Sequence, residues 1–193
     1  MVGSSVSIRR HLYHTCLPTD QRPRFPLRFC TAGGAEPQGK AAGWVAAGTV
    51  PGVLRIARSA HLAMVDHAVT GLPNEACGLL GGVWGSDHVE VFVPVRNIDE
   101  SAKTYAIGPD GFLAADRTLG PLGFDVIGVM HSHTHTDPYP SPTDVDAADS
   151  PLLVGWHYVI VSLRDTAPML RSWILDDRTI AETLVEVVSD RVG

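Results

Sequence analysis

FDVIGVMHSHTHTDPYPSPTDVDAAD, residues 124–149, changes character within a few positions, and those changes decide the fold. FDVIGVMHSH is a strongly apolar run that leads directly into histidines, as a buried strand does. After them, Ser141-Pro142-Thr143-Asp144 has the residues of a helix start: a hydroxyl side chain to cap it, proline in the first turn, an acid three positions after the serine. A short helix over VDAAD follows.

Outward from this stretch the same two periodicities recur. VLRIARS, from Val53, alternates like a strand, and Ser59 can then cap a helix running to about Thr70 with Leu62, Val65, Ala68 and Val69 as its apolar face. GLPNE breaks that helix. CGLLGGVWG and VEVFVPV, joined by Gly85-Ser86-Asp87-His88, read as a hairpin, and TYAI (104–107) as a short strand. Pro109-Asp110 opens a helix through Leu119, WHYVIVSL and LRSWIL are strands, and TIAETLVEVV is strand-like or mixed. Strands and helices interleaved in this way predict a single α/β (α+β) domain.

The chain has 193 residues, enough for one domain with a proper core, and its 45% hydrophobic and 19% charged residues are those of a globular protein. No apolar run reaches the length of a membrane-spanning helix, so no membrane partner is expected. Three cysteines, Cys16, Cys30 and Cys77, without close spacing argue against a disulfide framework and for a reducing compartment, the cytoplasm. The net charge of -6 is unevenly placed. Up to Thr49, six basic residues stand against Asp20 and Glu36; beyond it, nine stand against nineteen acidic ones. That acidic body offers no basic patch for a phosphate backbone, which argues against nucleic acid. Residues 1–48 lack periodicity and are expected to form a poorly ordered extension: a flexible tail, an over-extended reading frame or an Arg-rich transit peptide. Residues 49–193 form the expected domain.

In a strand, His131 and His133 project to one face with Ser132 turned away. Asp144, in the opening turn of the following helix, can fold back over them. Two His and one carboxylate leave one position of a zinc ion open for water, the arrangement of a catalytic site, and zinc brings the pKa of such a water to about 7. Glu75, a carboxylate just ahead of an apolar strand, is the candidate general base, and Ser141 can donate to a developing oxyanion. Each feature has a plainer reading when taken alone. An HxH pair is common, Ser-Pro-Thr-Asp is an ordinary capped helix start, Glu75 can be a turn residue, and a Ser141 hydroxyl used as a cap is not free for an oxyanion. His135 is expected on the surface or at a substrate rim. Cys77, two residues from Glu75, is expected as a buried small hydrophobe.

The joint spacing is more specific. Glu75, then His131-Ser132-His133, seven residues, Ser141, two residues and Asp144 resemble the signature of the JAMM (MPN+) zinc metalloproteases, over roughly Val50 to Ser189. NEACG at 74–78, HSHT where other members have HSHP, YPSPTDV, and HYVIVSLRD followed by LRSW look most like the small bacterial Mec-type members. The resemblance implies a curved mixed sheet flanked by helices, similar to the deaminase architecture. It also implies one zinc per chain on His131, His133 and Asp144, with Glu75 as acid/base and Ser141 supporting the oxyanion. The implied reaction is cleavage of an amide bond after the Gly-Gly tail of a small ubiquitin-like sulfur-carrier protein, releasing cysteine in a biosynthetic route. Two other functions fit the same residues: a non-catalytic MPN-type interaction module, and a zinc dipeptidase acting on free small substrates. Oligomeric state is not legible.

Overall fold

In the computed structural model, which describes residues 52–150 and 153–191, the run FDVIGVMHSH forms a strand, Asp125–His133, inside an eight-stranded sheet. The extension read from residues 1–48 lies outside the described residues. In chain order the strands are β1 (Val53–Ala57), β2 (Cys77–Gly82), β3 (His88–Val89), β4 (Val91–Val95), β5 (Asp125–His133), β6 (His157–Ser162), β7 (Met169–Asp176) and β8 (Thr179–Val188). The helices are α1 (Arg58–Thr70), α2 (Pro109–Leu119) and α3 (Pro142–Ala148). The sheet order is β3-β1-β8-β7-β6-β5-β2-β4, with β5 and β6 parallel and β2 antiparallel to β5.

Alternate residues along the strands feed two separate cores. Leu80, Met130 and Val159 pack with Ala60, Met64 and Ala68 of α1. Their neighbours Leu79, Val129 and Ile160 pack with Ala115 and Leu119 of α2 and Ala148 of α3. Successive side chains point to opposite faces, so α1 covers one face and α2 with α3 the other. The sheet also curls. β3 and β4 lie at opposite ends of the strand order, yet only Glu90 separates them in the chain, and its N–H donates to Gly81 O at 2.8 Å. One residue reaches only about 3.5 Å, so the two edges must meet.

A β-bulge decides where the histidines point. Opposite Leu80 and Gly81 stand Gly128 and Val126, which leaves one extra residue on β5. Regular alternation from Val126 would turn His131 and His133 toward α1. The bulge returns them to the face shared by Val126 and Val129, the one covered by α2 and α3. At this point β5 runs so close to β6 that a Cβ on Gly128 would meet His157 O at 2.3 Å.

Four expectations need correction. Ser59 does not cap α1 with its side chain: Ala57 is the N-cap residue, and both the N–H and the hydroxyl of Ser59 donate to Asp190 Oδ1, at 2.9 and 2.8 Å. β1 and β8 run parallel, with Ala57 opposite Val188, so the residues after each emerge together and Asp190 serves as an anionic cap supplied from afar. The apolar face of α1 is Ala60, Met64 and Ala68, while Leu62 and Val69 are exposed; small alanines let the helix lie close to the sheet. TYAI is no strand, since only an isolated bridge between Asn97 and Ile107 forms there. The hairpin is real between β2 and β4, but VEVFVPV is divided: Val89 pairs with β1 and Val91–Val95 with β2. TIAETLVEVV is a full strand. No helix among the described residues is long and apolar enough to cross a membrane.

Candidate metal centre

The last residues of β5 carry His131 and His133 at the strand's C-terminal end with 1% and 5% exposure. Their Nε2 atoms approach to 3.2 Å. His133 Nδ1 lies 2.7 Å from the Asp137 carbonyl and 2.9 Å from the Thr136 hydroxyl. A carbonyl can only accept, so the ring proton sits on Nδ1 and Nε2 keeps its lone pair for a cation. His131 is held by its face, stacked on Tyr105 at 4.4 Å and 17°.

Asp144 arrives from α3 as expected. Ser141 is the N-cap in a full capping box: its hydroxyl accepts from Asp144 N–H, and its own N–H and hydroxyl both donate to Asp144 Oδ2 at 2.7 Å. This fixes the carboxylate with Oδ1 3.5 Å from His131 Nε2 and Oδ2 3.8 Å from His133 Nε2. A tetrahedral ion with bonds of about 2.0–2.1 Å separates its ligand atoms by roughly 3.3–3.4 Å. The donor set therefore fits such an ion in both kind and spacing. It is a group of metal-ligand side chains whose donor atoms all lie within 4.8 Å of one another.

Charge supports this arrangement. Burial alone would raise the pKa of Asp144, but His131, His133 and the Ser141 hydroxyl outweigh it and hold the carboxyl well below the usual carboxylate range. For His133, burial acts downward, yet the nearby Asp144 carboxylate and the hydrogen bond to the Asp137 carbonyl bring the net shift upward. Glu75, 7% exposed, is raised by burial, a shift that His131 and His133 partly offset; its carboxylate therefore senses both imidazoles. Cys77 lies opposite His131 in the ladder, is fully buried, and its thiol is pushed up to about 12 by burial, then by Glu75 and Asp99. It is a packing residue, as expected, and not a nucleophile. His135 is exposed on the loop after β5, also as expected.

What holds that loop has no counterpart in the neighbouring sequence. Thr134 donates its hydroxyl to Ala102 O at 3.0 Å, Ser162 to Thr136 O at 2.6 Å, and Trp173 its indole N–H to Pro138 O at 3.0 Å. Tyr139 packs edge-on against Trp173. These partners come from distant segments with no local signature.

Residues 57–176 match the family of prokaryotic homologues of the JAB domain. The CysO-cysteine peptidases of Mycobacterium tuberculosis and Mycobacterium bovis are 39% identical over 127 residues, 65% of this chain and 85% of theirs. A solution structure from Desulfitobacterium hafniense, 30% identical, superimposes with a TM-score of 0.62 over 71% of this chain and 93% of that one. Another from Salinibacter ruber, 32% identical, gives 0.50 over 70% and 90%. The JAMM resemblance and the curved α/β sheet are thus borne out: the chain belongs to the prokaryotic homologues of the JAB domain, and it is a hydrolase.

Proposed function

We propose that this protein is a zinc-dependent amidase that cleaves the bond following the Gly-Gly tail of a small ubiquitin-like sulfur carrier and releases cysteine, in the cytoplasm, with residues 49–193 as the catalytic domain. The observation that carries the reading is the convergence of His131, His133 and Asp144 beside a buried Glu75. The name of the mycobacterial relatives supports the substrate class. The free thiol of Cys77 is compatible with a reducing compartment.

His131, His133 and Asp144 would hold the zinc, whose contribution when bound is Lewis acidity toward water and carbonyl oxygen. Glu75 takes a proton from the attacking water and returns it to the departing amine. Burial suits it to both roles, because a raised pKa narrows the gap to neutral pH. Ser141 directs its hydroxyl at Asp144, so its first task is to orient that carboxylate; support of the oxyanion requires the hydroxyl to rotate away.

The test uses a ubiquitin-like carrier extended by one C-terminal cysteine, followed by mass spectrometry with and without chelator. Cleavage after Gly-Gly that stops on chelation and returns with zinc is expected. Glu75→Gln should keep the metal and the fold and lower kcat by roughly two to four orders of magnitude. Unchanged turnover in a zinc-loaded Glu75→Gln protein would remove the proposed mechanism. An intact carrier with wild-type enzyme would remove the proposed substrate.

A further inference from the structure

Glu75 belongs to no helix or strand; it stands between the end of α1 and the start of β2. No ladder fixes its backbone, yet a proton carrier must be held within a fraction of an ångström of its target. The segment between β4 and α2 supplies the missing restraint. Asn97 is buried and uses the full hydrogen-bonding capacity of its amide. Its Nδ2 donates to Glu75 O at 2.9 Å and to Thr104 O at 2.9 Å. Its Oδ1 accepts from Asp99 N at 3.0 Å and from Ala106 N at 3.1 Å. From the same segment, Ser101 O accepts the N–H of Glu75 at 2.8 Å.

Both backbone polar groups of Glu75 are therefore gripped by residues 97–101, and Asn97 is the side chain that joins that grip to the rest of the loop. The loop also reaches the histidines, through Tyr105 stacked on His131 and Ala102 O accepting from Thr134. We propose that Asn97 is a positioning residue: it sets where the Glu75 carboxylate stands relative to the histidine pair, without touching substrate or metal. This rests on the reading of Glu75 as the proton carrier.

A residue that only builds the loop would affect rate through general loosening, independently of Glu75. One that acts through Glu75 has nothing left to act on once that carboxylate is gone. The experiment is a double-mutant cycle with the cysteine-extended carrier, using Asn97→Ala, Glu75→Gln and the pair, with zinc content and melting temperature measured on each preparation. Asn97→Asp serves alongside, since it preserves shape and both acceptor contacts but removes the donors to Glu75 O and Thr104 O. Single Asn97 variants should lose about 10–100-fold in kcat, the usual scale for supporting contacts, with KM within about threefold and zinc retained. Adding Asn97→Ala to Glu75→Gln should lower kcat by less than about threefold more. Unchanged kcat in a folded Asn97 variant, a loss of zinc, or a full multiplicative loss in the double variant would each overturn the proposal. Unchanged kcat in Glu75→Gln alone is a separate outcome, and it removes the proton-carrier reading on which the proposal stands.

Discussion

Two histidine–aspartate contacts of nearly equal length sit at opposite ends of two neighbouring strands. At the start of β6, His157 Nε2 lies 3.3 Å from Asp87 Oδ1; at the end of β5, His131 Nε2 lies 3.5 Å from Asp144 Oδ1. The imidazoles are both buried, so burial of the ring does not distinguish them. The carboxylates do: the Asp87 side chain is 62% exposed and that of Asp144 9%. Burial pushes His157 down, and the solvated Asp87 offsets only part of that. At the other end, Asp144 is held by Ser141 and faces a second imidazole, and its pull carries His133 upward against burial. A His–Asp contact is thus not in itself a site. What makes one is a buried, doubly hydrogen-bonded carboxylate and a second ring aimed at the same point.

The widest separation between the two ends should come from removing each aspartate in turn. Asp144→Asn should strip most of the zinc, weakening affinity by well over the roughly 10–100-fold typical of supporting contacts, and turnover with it. Asp87→Asn should leave zinc content and turnover near wild type. Metal analysis and steady-state rates on both proteins decide it, and full zinc occupancy in Asp144→Asn would mean that the ligands are misassigned.

A smaller effect is expected at Trp173→Phe, which keeps the ring beside Tyr139 but removes the N–H bonded to Pro138 O. Leaving that buried carbonyl unpaired should cost about 1–3 kcal/mol, read from denaturant unfolding. Zinc release should also quicken, since the same loop carries the Asp137 carbonyl that orients His133. A melting curve and zinc off-rate like those of wild type would show that the loop holds itself.

The smallest effect belongs to His157. Burial lowers its folded pKa, so as pH falls below the ordinary histidine value of 6.5 the unfolded chain binds the proton more readily than the native one. The stability linked to this group is present above that pH and is lost as pH falls toward the folded value. His157→Gln should therefore flatten the acid side of the melting-temperature profile relative to wild type, whatever its offset at neutral pH. Parallel profiles for the two proteins would show that His157 contributes no proton linkage.

How much of this was legible depended on whether the cause was local. β5 and α3 announce themselves because an apolar run and a Ser-Pro-Thr-Asp start act through adjacent residues. Alternation puts both histidines on one face and the capped start places Asp144 in the first turn of α3, but the three meet only because the bulge in β5 turns the histidines to that side, and the bulge has no local signature. The capping of α1 could not be read, because its carboxylate comes from Asp190, 131 residues away. Leu62 and Val69 misled because hydrophobicity alone does not say which stripe meets the sheet; the smaller Ala60 and Ala68 do. TYAI has strand residues, but Asn97 gathers that segment into a loop and Tyr105 is taken up by His131. The supports of the site, Trp173, Ser162 and Asn97, act across the fold and leave no spacing to read.

The bulge in β5 bears on which changes of chain length this fold survives. Because β5 already carries one residue more than its partner strand there, losing Ile127 would restore a regular ladder and leave His131 and His133 facing as they do now. The loss would be an emptied place against α1, a packing defect on the order of 2–5 kcal/mol, with the donor set still assembled. Gaining one residue between the bulge and His131 has the opposite outcome. Without a second bulge to absorb it, both imidazoles would rotate to the face of α1, far from Asp144, although every residue of the motif would still be present. Shortening is thus the safer direction for this strand, and an insertion there can abolish the candidate centre without substituting His131, His133 or Asp144.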